Sequence, residues 1–127
     1  MKRFEDLLAW QQSRKVVTMI YQLTRHETIY KDYGLVNQLQ RSAVSIMTNI
    51  AEGFERIHNK EKIQFYNVAR ASGGELRSLI YVVKDLYPDL DQYCIVLQQE
   101  LEVTGKLISG LLRSTQERNK KPTPPNS

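Results

Sequence analysis

The 127-residue chain holds one cysteine, four prolines, six glycines and two histidines, and each shortage closes off a class of protein. A lone thiol, Cys94, cannot form an internal disulfide. It falls on an apolar stripe, so a buried, reduced side chain is expected there rather than a nucleophile. So few prolines, most of them near the C-terminus, leave long stretches suited to helix rather than to many short strands. No run approaches the ~18 apolar residues of a membrane span, and the opening MKRFEDLLAWQQ lacks the apolar segment of a signal peptide. A cytoplasmic protein without membrane contact is expected. Two histidines also cannot fill the usual metal sites. A di-iron bundle needs Glu-x-x-His twice plus two further glutamates. Glu55-Arg56-Ile57-His58 is the one match, at a helix end, and His26 lies in an expected loop. Neither a GxxxxGK[ST] loop nor a G-x-S-x-G elbow occurs. No metal, no cofactor and no enzymatic activity are expected.

What is present is helical period. With 41% hydrophobic residues, the chain has enough apolar side chains for one compact core. Ala9, Trp10, Ser13, Val16, Val17, Ile20 and Leu23 share one face of a first helix, about 7–24. Leu35, Leu39, Ala43, Ile46, Ile50 and Phe54 define a second, about 35–55, with Asp32 as a possible cap. Asn59 is placed to cap a third, about 59–87, whose apolar side runs through Phe65, Tyr66, Ala69, Leu76, Ile80, Val83 and Tyr87 until Pro88 stops it. Asp89 or Asp91 opens a fourth, about 90–116, built on Leu97, Leu101, Leu107, Ile108, Leu111 and Leu112. Short links between four amphipathic helices predict an all-α fold, an antiparallel up-and-down four-helix bundle over residues 1–116. Residues 117–127, rich in proline and nearly without apolar groups, are expected to form a disordered tail.

The stretch NIAEGFER, residues 49–56, mixes polar letters into the second helix, and a step of about 100° per residue sorts them. Arg41, Ser45, Thr48, Asn49, Glu52 and Arg56 form a stripe opposite the apolar one. Glu52 and Arg56 are spaced for an i,i+4 pair. Arg41, Asn49 and Glu52 are candidates to meet polar groups on another helix or subunit, with Glu75 a suitable buried partner for Arg41. In the third helix, Ala69, Ser72 and Gly73 lie within a turn of one another. Two adjacent glycines, each costing ~1 kcal/mol against alanine in a helix, suggest close backbone approach by a neighbour. The fourth helix is apolar over more than half its circumference, because Val96, Val103 and Leu107 widen its stripe. Self-association is the simplest use for that breadth.

The pattern F-E-D-L-x-x-W-Q from Phe4 to Gln11 is followed by Tyr33-Gly34-Leu35, Gln38-Leu39-x-Arg41 and Ser45-Ile46. Then comes Asn49-Ile50-Ala51-Glu52-Gly53-Phe54-x-Arg56. With Phe65 and Ala69-x-x-Ser72-x-x-Glu75-Leu76, this resembles the four-helix-bundle proteins encoded by intervening sequences in bacterial 23S ribosomal RNA genes. The resemblance covers roughly residues 4 to 112. It departs at Met47, where the family usually shows proline, and at Ser72-Gly73-Gly74 in place of its Gly-Ser. It implies a left-handed bundle assembled as a homopentamer. It also implies relatives among the accessory variability determinants of diversity-generating retroelements, which bind nucleic acid and a reverse transcriptase.

The net charge of +4 favours an anionic partner without naming it. Along the third helix Arg70, Arg77, Tyr81 and Lys84 share the outer side, with Lys60 and Lys62 at its start. These residues are candidates to track phosphates while Tyr81 stacks. The expectation is a homo-oligomeric scaffold binding RNA or DNA through repeated basic surfaces, accessory to a ribosomal intervening sequence or to a reverse-transcribing element. The alternative is a protein-protein adaptor with no nucleic-acid ligand.

Overall fold

A computed structural model describes residues 2–120. A 3-10 turn at Phe4–Asp6 leads into α1 (Leu8–Leu23), α2 (Tyr33–Glu55) and α3 (Asn59–Leu86), and a second turn at Pro88–Leu90 leads into α4 (Asp91–Asn119). Among the described residues there is no strand, so the fold is all-α, four helices packed as a bundle. Helix α2 lies against α3, α3 against α4, and α1 against both α2 and α4. The core sits between them. None of the helices is long and apolar enough to cross a membrane among the described residues.

The apolar spacings seen in the sequence are those that close the core. Val16, Ile20 and Leu23 of α1, Leu39, Ile46 and Ile50 of α2, and Leu76, Ile80 and Val83 of α3 are fully buried. On α4, Cys94, Leu97, Leu101, Thr104, Ile108, Leu112 and Thr115 recur at intervals of three and four, the seam period of packed helices. The buried hydroxyls among them are satisfied within their own helices. Ser13 donates to Ala9 O at 2.6 Å, Thr104 to Glu100 O at 2.8 Å and Thr115 to Leu111 O at 2.8 Å. Burial pushes the Cys94 thiol up to about 11, so it stays protonated, as expected of an inert side chain.

The helix ends show what local sequence decides. Asp32 caps α2 as anticipated, accepting from Leu35 N at 3.3 Å, and the helix starts at Tyr33, two residues earlier than its apolar period. The same carboxylate accepts a 2.7 Å bond from Tyr87 Oη, which fastens the start of α2 to the end of α3. Asn59 is not the cap of α3. His58 holds the extended cap position, and Asn59 is already helical. The turn is stabilised from elsewhere: Lys62 Nζ donates to Phe54 O at 2.6 Å, covering a carbonyl that the end of α2 leaves free. Tyr87, restricted by the following Pro88, leaves the helical region and ends α3. Helix α4 continues to Asn119, three residues past the expected 116, and Arg118 in its last turn donates to Thr115 Oγ1 at 3.2 Å. The expected tail is thereby shortened, and its residues 121–127 lie outside the described part.

Candidate nucleic-acid interface

Arg70, Gly73, Gly74, Arg77 and Tyr81 fall at intervals of three, one, three and four on α3, and so share a face. Across from them α4 turns Gln98, Glu102, Gly105, Lys106, Ser109 and Arg113, with the buried Leu101, Thr104 and Ile108 at the bottom. Between the two rows runs an open cleft of about 740 Å³. Its walls are low where glycine has no side chain. A Cβ placed on Gly74 or Gly105 would meet nothing within 4 Å, and one on Gly73 would meet only Ile46 Cδ1 at 3.9 Å. The expectation that the glycine pair serves a close backbone approach therefore fails within the chain. The glycine under pressure is Gly53, in the NIAEGFER stretch: a Cβ there would lie 2.6 Å from Tyr66 Cε1 and 3.0 Å from Phe65 Cβ.

Charge in the cleft is lopsided. Glu102 is taken by Lys106 of its own helix at 3.6 Å. Among the described residues no carboxylate pairs with Arg70, Arg77 or Arg113. Tyr81, 60% exposed, stands one turn beyond Arg77. Three guanidinium forks and an open aromatic face, set along a trough without bulk, suit a phosphate backbone with an unstacked base beside it.

The structure divides the six residues proposed from the sequence. Arg70, Arg77 and Tyr81 come together on the cleft. Lys60 is exposed at the beginning of α3, ten residues or about 15 Å before Arg70. Lys62 is engaged with Phe54 O and stands over the Phe54 ring at 5.3 Å, and its ammonium is pushed below the ordinary lysine range by burial and then by the nearby positive Arg118. Lys84 reaches Asp91 at 3.8 Å and Gln98 at 3.4 Å, tying the start of α4 to α3 and fixing one end of the cleft. Lys106 and Arg113 were missed by the sequence-based choice. Their spacing of seven residues is the same as that between Arg70 and Arg77, but a repeat on a second helix does not by itself say which face of that helix meets α3.

On the polar stripe of α2, Ser45 Oγ and Ser72 Oγ bond across to α3 at 2.8 Å, and Asn49 Nδ2 donates to Ser45 O at 2.8 Å and Ser45 Oγ at 3.1 Å. Asn49 thus meets α3 through Ser45. Glu52 and Arg56 form the expected pair at 3.0 Å, with the guanidinium 4.6 Å from the Phe65 ring centre. The buried Arg41–Glu75 pair does not form: both residues are exposed and no ion pair joins them. Each side chain is long enough to stay hydrated, and the interior position between the helices is already filled by the small serines.

A second, apolar hollow of about 290 Å³ opens between α1 and α4, lined by Met19, Gln22, Gln92, Tyr93, Val96 and Leu97. Val96 and Val103, which broaden the stripe of α4, are each 46% exposed. The chain's own core does not use them.

The chain belongs to the 23S rRNA-intervening sequence protein family, whose sequence profile matches residues 5–110. No curated protein matches it.

Proposed function

We propose that this family member is a non-enzymatic, homo-oligomeric scaffold that binds nucleic acid through the α3–α4 cleft, presented five times around a ring. The observation that carries this is the set of arginines without an ion-pair partner among the described residues, Arg70 and Arg77 on α3 and Arg113 on α4, along a trough kept open by Gly74 and Gly105. Five copies of a chain with charge +4 give the assembly about +20, enough to attract RNA or DNA without reading bases. The family's description favours an RNA setting, and a reverse-transcribing element is the second one.

The bundle is antiparallel, up-and-down and left-handed in this proposal. Supporting the antiparallel order, Gly53 faces Tyr66 at one end of the α2–α3 pair, Ser45 faces Ser72 in the middle, and Asp32 faces Tyr87 at the far end. The exposed Tyr93, Val96 and Val103 of α4 supply apolar area for contact between copies.

Filter binding to a structured RNA tests the proposal. A complex at 50 mM salt that weakens steeply by 200 mM is the expected result. No complex at low salt, or one indifferent to salt, overturns phosphate binding and leaves the protein-protein adaptor, for which the same exposed α4 face would be the contact.

A further inference from the structure

Resting on the proposed function, we infer that the α3–α4 cleft takes a single strand, a run of about three to four unpaired nucleotides, and does not take a duplex. Three features of the cleft carry this: its width, the spacing of its cations, and the open face of Tyr81.

The width comes from the helices themselves. The axes of packed helices lie about 8–10 Å apart, so a trough between two of them is narrower than a helix with its side chains. A duplex is far wider, since its major groove alone admits a whole helix. It could touch the rims, never the floor. One sugar-phosphate strand can descend past Gly74 and Gly105, whose missing side chains leave both walls low above the buried Leu101, Thr104 and Ile108. A flat surface of arginines would attract charge without the two helix-interior glycines, Gly74 and Gly105, that open onto empty space.

The cations set the length. Arg70 and Arg77 are seven residues apart on α3, and on α4 Arg113 lies seven residues past Lys106, whose ammonium Glu102 already holds, a rise of about 10.5 Å in each row. A stacked strand advances about 3.4 Å per phosphate, so each row spans about three nucleotides. Tyr81 stands a turn past Arg77 with its ring open to solvent, and a base leaving the stack can lie on it. A paired base could not, because its face is already covered by its neighbours.

Fluorescence anisotropy with a labelled 15-nucleotide U-rich RNA, the matching DNA strand, and a 15-base-pair duplex tests this at 50 mM salt. The single strands are expected to bind at least tenfold tighter than the duplex. Three arginine contacts to a single strand give a log–log salt slope of about −2, so affinity falls about 20-fold between 50 and 200 mM. The deciding variant is Gly74→Leu/Gly105→Leu, which keeps every charge and fills the trough at positions where added atoms meet nothing within 4 Å. It should lower single-strand affinity about tenfold, leave duplex affinity unchanged, keep the particle mass of the parent and not lower its melting temperature. Tyr81→Ala should weaken the single strand alone.

Equal or tighter duplex binding overturns the inference while leaving nucleic-acid binding in place. So does a filled variant that binds single strands like the parent. A changed particle mass in the filled variant means that a second copy occupies the cleft, and competition by poly-glutamate at equal charge means an acidic protein does; either result overturns it. If none of the three oligonucleotides binds, the proposed function itself falls.

Discussion

Helix α3 has two flanks, and they treat glycine in opposite ways. Toward α2, Gly53 lets the Tyr66 ring press onto backbone, and Ser45 and Ser72 share a 2.8 Å bond, so the seam is closed. Toward α4, Gly74 and Gly105 leave a trough that the chain does not fill, with unpaired arginines along it. A glycine inside a helix costs about 1 kcal/mol against alanine. On the α2 side, close packing offsets that cost. On the α4 side nothing within the chain does, which is why the cleft is the place to look for a ligand.

Substitutions to alanine should therefore change stability in opposite directions on the two flanks. Gly53→Ala forces a methyl group against Tyr66 and is expected to destabilise the fold by about 1–3 kcal/mol, read as a lower denaturant midpoint. Gly74→Ala and Gly105→Ala remove flexible helix positions without a clash and should each stabilise by up to about 1 kcal/mol in the same measurement. A loss of stability on both flanks would erase the contrast. Smaller still, Ser72→Ala breaks the hydroxyl bond to Ser45 and should cost about 0.5–1.5 kcal/mol, but it should cost little more in a chain where Ser45→Ala has already removed that bond together with the one from Asn49.

A pH series sharpens the picture on a third seam, between α1 and α4. Glu100 there accepts from Gln12 and Lys15, bonds that hold its carboxyl below the ordinary glutamate range against a smaller opposing effect of burial. A depressed carboxyl contributes stability above the unfolded value, about 4.3, and that contribution is lost as pH falls through the lower folded value. Glu100→Gln should thus narrow the stability difference between pH 7 and pH 3 by a fraction of a kcal/mol, the partner Lys15 being largely in solvent. An unchanged pH profile would show that the bonds do not act in solution.

Much of the fold was legible because burial writes itself at helical spacing. Val16, Ile20, Leu39, Ile46, Leu76, Ile80, Leu97 and Ile108 all lie where their periods put them. Caps were harder. Asp32 was readable from its own position, whereas the α2–α3 turn is held by Lys62 reaching eight residues back to Phe54, so Asn59 drew the role that His58 has. At the site, Arg70, Arg77 and Tyr81 could be grouped because one helix carries them all. Lys106 and Arg113 could not, since which face of α4 meets which face of α3 is set by packing along the whole pair. The same limit hid the use of Lys84 by Asp91 and Gln98 and the contact of Gly53 with Tyr66, and made the glycine pair of α3 look packed.

The claim on which the rest stands is that the unpaired arginines of the cleft meet phosphates. Titrating one labelled RNA against the parent chain and against Arg70→Glu/Arg77→Glu, across 50 to 200 mM salt, measures it. At least a tenfold loss of affinity and a flatter salt dependence, with melting temperature and particle mass unchanged, is the predicted result. Equal affinity and equal salt dependence in the two proteins would contradict it.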